Sequence, residues 1–199
     1  CMNQPGSATT LDPLREVQPY LDRLERDNVK LKYIFETHFH ADFVSGHLDL
    51  SEKTGATIVY GPLAAPTFDA KIANDGELLL LGDLQIKVLH TPGHTMESTT
   101  YLLKDEQGRD HAIFSGDTLF LGDVGRPDLA QKAANMTQDQ LAGLLYESLM
   151  TKIMPLADDV IVYPAHGAGS ACGKNMMKET VDTLGNQKRM NYALNQPDK

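Results

Sequence analysis

The chain has 199 residues, 41% of them hydrophobic and 23% charged, which suits one globular domain with a core of its own. Its net charge of −9 argues against nucleic acid as a general partner, because a phosphate backbone is repelled, and an anionic small molecule needs a local cation. No apolar run reaches the ~20 residues of a membrane span. No charged-then-apolar leader is visible. Two cysteines, Cys1 and Cys172, are too few for a disulfide framework, so a reducing, cytoplasmic location is expected.

The opening CMNQPGSATT run lacks the alternation of a strand, and the expectation is a first hairpin that is absent or unstructured. Leu11-Asp12-Pro13 nevertheless reads as a strand end entering a helix. Residues 31–36 (LKYIFE) form a short apolar strand pattern, residues 46–54 a helix and residues 57–60 a strand. Further strands are predicted over 78–81, 85–89, 99–103 and 111–114, separated by Gly, Asp and Pro. Residues 137–152 place Leu141, Leu144, Leu145 and Leu149 at helical spacing behind Thr137, a good N-cap. Residues 160–163 form a buried strand, and 173–185 is expected to be a last helix. No repeat, low-complexity tract or linker divides the chain, so residues 1–199 are expected to be one α/β domain.

The polar residues fall just after these strands, where a layered α/β protein assembles its sites. Thr37-His38-Phe39-His40-Ala41-Asp42 sets three metal-capable side chains at alternate positions, a spacing that lets them converge in a tight loop but not on a helix. Thr91-Pro92-Gly93-His94-Thr95, Ser115-Gly116-Asp117-Thr118 and Tyr163-Pro164-Ala165-His166-Gly167 are three more loops of the same character. Any one histidine alone is more simply structural; the four loops together read as a metal site. His and Asp donors favour Fe(II), Zn(II) or Mn(II), and no cysteine pair is available for a structural zinc.

Together these loops resemble the metallo-β-lactamase superfamily, over about residues 11–185. The resemblance implies an αβ/βα four-layer sandwich with metal in a cleft at one edge of two sheets. The family's first motif is usually His-x-His-x-Asp-His, and in two-metal members such as glyoxalase II its Asp and final His hold the second metal. Here Phe43 stands in that last position and cannot ligate, so one metal is expected. The runs ETHFHADFVSGH (36–47), FSGDTLFLGDVGRPDL (114–129) and YPAHGAGSACGKN (163–175) are similar to the persulfide dioxygenase branch. That resemblance implies one Fe(II) per chain on His38, His94 and Asp117, a facial triad with open positions, zinc being an alternative in purified protein. It implies O2-dependent oxidation of a low-molecular-weight thiol persulfide to sulfite and thiol.

On this reading His40, Asp42 and His166 hydrogen-bond a metal-bound water or orient a ligand; the plainer alternative is packed remnants of a second site. Arg126 is expected to anchor a substrate carboxylate through its planar fork, against a structural pair with Asp123 or Asp128. Cys172, near the expected start of a helix, is a candidate reactive thiol that carries or relays a persulfide, against an inert buried residue. Members with this motif often continue into rhodanese domains, so a rhodanese domain or partner is compatible, as is a homo-oligomer. The first rival is a glyoxalase II-like or other zinc-dependent hydrolase. The second is a sulfane-sulfur binding domain with little turnover.

Overall fold

The computed structural model describes residues 6–195. Strands β1 (Gly6–Leu11), β2 (Val29–Phe35), β3 (Thr57–Tyr60) and β4 (Lys71–Ile72) form a parallel sheet in chain order. Parallel neighbours need crossovers, which α1 (Gln18–Asp27) supplies between β1 and β2 and α2 (His47–Thr54) between β2 and β3. Strands β5 (Leu78–Leu81), β6 (Leu84–His90), β7 (Thr99–Lys104) and β8 (Asp110–Gly116) meander antiparallel. Strand β9 (Ile161–Pro164) then joins β8 in parallel, after a crossover through α3 (Gln131–Ala134) and α4 (Gln138–Ser148), and β10 (Asp182–Thr183) completes the sheet at its edge. Helix α5 (Leu184–Met190) follows.

Three buried clusters hold four layers apart. Phe35, Val59, Ile86, Val88 and Tyr101 fill the space between the sheets. Leu31, Ile34, Leu50 and Ile58 pack the outer face of the parallel sheet against α1 and α2. Leu102, Ile113, Val162, Leu145 and Leu149 do the same for the second sheet and α4. Leu31 and Ile34 share the helix-facing side despite their odd spacing because the β1–β2 register slips by one residue after Leu31. The bulge reverses which face the following residues serve. This is the αβ/βα sandwich of the metallo-β-lactamase fold.

Two expectations are corrected. Residues 6–11 are a strand, paired with β2 as an edge that buries no residue fully, so its sequence needed no apolar alternation; Cys1 to Pro5 lie outside the described residues. Residues 173–185 are not a helix: the chain runs as loop to β10, and α5 starts only at Leu184, capped by Thr183 Oγ1. Helix α4 opens as expected on Thr137, with a reciprocal capping box to Gln140. It continues as a π turn over Leu149–Ile153. Among the described residues no helix is long and apolar enough to cross a membrane.

Candidate metal centre

Strands β6, β8 and β9 run in one direction, so their C-terminal ends gather at one edge of the second sheet. The C-terminal end of β2 meets them there, tied by the Thr99 N–H donating to the Thr37 carbonyl at 2.9 Å. The loops after these strands carry His38, His94, Asp117 and His166. Two glycines let the loops approach. Gly116 has φ +53 and lies against Thr37, and a Cβ on Gly125 would stand 1.8 Å from the Asp117 carbonyl oxygen.

His38, His94 and Asp117, all buried, offer three donor atoms within 4.8 Å of one another. Asp117 Oδ2 lies 3.4 Å from His94 Nε2 and 4.0 Å from His38 Nε2. It is also a buried carboxylate oxygen with no hydrogen-bond partner, which is costly unless a cation faces it. Two imidazoles and one carboxylate form a donor set that fits a borderline divalent metal. Each imidazole is held in the tautomer that frees Nε2. His94 Nδ1–H donates to the Arg126 carbonyl at 3.0 Å, and His38 Nδ1–H donates to Thr37 Oγ1 at 3.0 Å. Thr37 Oγ1–H in turn donates to Asp12 Oδ2 at 2.8 Å. Burial, then the nearby charge of His40, pushes His38 down to about 3, so its ring is neutral. Asp117 stays below the usual carboxylate range: burial opposes this, but the His166 hydrogen bond, with the surrounding histidines, outweighs it.

His40 does not join these donors. Its Nε2 lies 2.9 Å from Asp12 Oδ1 and 3.5 Å from Glu36 Oε2, and its ring packs on Phe43 with centroids 4.4 Å apart. Burial works against charge on this ring, yet the hydrogen bonds to Asp12 and Glu36 push it up to about 10. Glu36 is the hub of this second cluster. Its side chain accepts from Ser45 Oγ at 2.7 Å and faces His47 Nδ1 at 3.4 Å, while its backbone carbonyl accepts from Tyr101 Oη at 2.9 Å. Sequence reading passed over Asp12, Glu36 and Thr37. The one signal was a carboxylate at each of two strand ends that precede histidines.

His166 donates through Nδ1 to Asp117 Oδ1 at 2.8 Å and through Nε2 to Asp42 Oδ2 at 2.7 Å. Both nitrogens are engaged, and the Asp117 bond raises its pKa. Asp42, His166 and Cys172 also lie close enough to form a donor group. Cys172 itself departs from expectation. No helix starts near it, and burial, then Asp117, pushes its thiol up to about 11, so the pKa depression expected of a helix N-terminus is absent. Arg126 makes the structural pair: Nε and Nη2 donate to Asp128 at 3.0 and 2.5 Å, and Nη1 to the Ala171 carbonyl at 3.3 Å. Asp123 instead clamps the loop after Cys172, accepting from the Lys174 and Asn175 N–H groups at 2.6 and 2.7 Å.

The model of the metallo-beta-lactamase superfamily matches residues 5–166, and the chain belongs to that superfamily. It is 35% identical to a hydroxyacylglutathione hydrolase of Tolumonas auensis, over 83% of this chain and 59% of that protein. Among solved structures it is similar to a metallo-beta-lactamase of Staphylococcus aureus, with 32% identity and a TM-score of 0.85 over 94% of this chain and 56% of that one. It is also similar to ETHE1 of Myxococcus xanthus, with 32% identity and a TM-score of 0.76 over 94% of this chain and 73% of that one. The chain thus spans less than two thirds of the T. auensis and S. aureus proteins.

Proposed function

We propose that this chain is a mononuclear Fe(II) persulfide dioxygenase. The observation that carries the reading is the donor count. His38, His94 and Asp117 converge with an orphaned carboxylate oxygen, His40 is drawn off by Asp12 and Glu36, and Phe43 packs where a further ligand would stand. Two histidines and one carboxylate are the donor set of non-haem Fe(II) oxygenases. The ETHE1 structure fits the same branch.

The reaction is R–S–SH + O2 + H2O → R–SH + SO3²⁻ + 2H⁺, in which the terminal sulfur loses four electrons and O2 gains them. A ferrous ion held by the triad supplies the oxygen chemistry that side chains lack. The protein's part is to place and protect. Thr37 and the Arg126 carbonyl fix the two imidazoles, and His166 holds Asp117 from the other side. The apolar wall of the adjoining cavity keeps bulk water from the reacting sulfur. Asp42, which lines that cavity, accepts from His166 Nε2 and so fixes the imidazole that steadies Asp117.

The curated relatives favour a second reading, hydrolysis of a glutathione thioester, because those compared carry the name hydroxyacylglutathione hydrolase. One preparation tests both. Protein purified anaerobically is assayed for iron and zinc, for O2 uptake with a persulfide, and for thioester hydrolysis. About one equivalent of iron with O2 uptake and sulfite supports the dioxygenase. Robust hydrolysis by the zinc form with no O2 uptake replaces it with the hydrolase.

A further inference from the structure

Beside the triad lies a cavity of about 470 Å³ with His38, His94 and Asp117 at its floor. Its wall is apolar: Phe39, Met96, Leu129, Ala130 and Ala134 line it, and the short alanine side chains leave the room. Its other charged side chains, Asp42 and Glu97, are acidic, and no Lys or Arg is among the described residues that line it. Arg126 is not among the lining residues, although its Nη1 donates to the carbonyl of Ala171, which is. Arg126 borders a separate cleft of about 140 Å³ with Pro127, Lys174 and Tyr192, and two of its nitrogens are spent on Asp128.

We propose that this cavity takes a thiol derivative whose arm next to the sulfur is uncharged, a pantetheine-type or alkyl chain, and selects against the glutathione tripeptide. The inference rests on the reading that substrate sulfur reaches the triad through this cavity. A neutral chain gains from the apolar wall and asks nothing of Asp42 or Glu97. Glutathione, with two carboxylates and one ammonium, carries a net negative charge that must leave water and meet like charge, and its carboxylates find no bidentate partner among the lining residues. Recruiting Arg126 would first require breaking its bonds to Asp128. The selectivity is therefore built from both an attractive wall and a repulsive rim.

The test separates selectivity from chemistry. Binding of S-methylpantetheine and of S-methylglutathione to the metal-loaded protein is measured by calorimetry, alongside O2 uptake with the two matching persulfides. The neutral thioether is expected to bind at least tenfold tighter, and its persulfide to show the higher kcat/KM. Ala133→Arg, which puts a cation at the rim, is expected to shift the ratio toward glutathione at least fivefold. Arg126→Gln is expected to leave the ratio within twofold. Tighter binding of the neutral thioether with no oxidation of either persulfide keeps this inference and removes the dioxygenase. Equal or tighter binding of the glutathione thioether, no binding of either, or a selective loss of glutathione in Arg126→Gln overturns the inference whatever the reaction.

Discussion

Two clusters of histidine and carboxylate side chains include His38 and His40, two positions apart in sequence, and face opposite requirements. His38, with His94 and Asp117, points a neutral nitrogen at a carboxylate oxygen that has no other partner. His40, with Asp12 and Glu36, points Nε2 at two carboxylates and is held there as a charged donor, its Nδ1 having no hydrogen-bond partner. The residue type does not decide which histidine offers a lone pair to a metal. The carboxylates behind it do, by setting whether the ring donates or accepts.

The sharpest way to break the comparison is to delete a member of the first cluster. His94→Ala leaves two donors, and a loss of metal affinity of at least about 100-fold is expected, beyond the tenfold to 100-fold typical of outer partners. Metal content after dialysis checks it, and full metal retention would remove His94 from the ligand set. Gly125→Ala comes next. The added methyl meets the Asp117 carbonyl at 1.8 Å, so that backbone must shift. A destabilisation of about 1–3 kcal/mol is expected from overpacking, with a weakened metal site. Urea unfolding measures the first effect and metal titration the second.

The donors of the first cluster were legible in the sequence because each follows an apolar strand, and strand ends are visible from composition alone. Phe43 was legible only through the resemblance, as a missing donor in the superfamily's first motif. The second cluster was not, because Glu36 and Asp12 act across the β1–β2 junction and through a loop, contacts that no local pattern reports. The short edge strand β1 and the loop at 173–183 were missed on similar grounds. The first needs no apolar face, and the second is held by Asp123 and Gln187 rather than by its own periodicity. Arg126 drew a substrate-anchoring role from its motif, and the structure pairs its guanidinium with Asp128 two residues on, one of the two partners the sequence offered as the alternative.

Breaking the second cluster should cost less metal and more structure. Glu36→Gln keeps the shape of the hub but replaces one acceptor oxygen with a donor among Ser45, His40 and His47. Leaving buried groups unsatisfied costs about 1–3 kcal/mol, which urea unfolding reads directly. If Glu36 holds His40 off the metal, cobalt-substituted Glu36→Gln should also show a changed visible spectrum as the released ring alters the donor set. An unchanged spectrum with unchanged stability would mean that Asp12 and packing on Phe43 place His40 without Glu36.

The smallest expected effect belongs to the one hydroxyl that joins the two clusters. Thr37 Oγ1 accepts from His38 Nδ1–H and donates to Asp12, so it transmits the carboxylate's preference to the ligand ring without contacting the metal position itself. Thr37→Val is close in shape and removes only that relay. His38 then loses the partner that fixes its tautomer, and a drop in metal affinity of about tenfold is expected, at the low end for an outer partner. The Thr37 N–H bond to Asp12 Oδ1, at 2.8 Å, survives the substitution and keeps the loop in place. A competition titration against a chelator measures the loss. Wild-type affinity in Thr37→Val would show that His38 is oriented by its packing between His40 and His94, and that the two clusters are neighbours without being coupled.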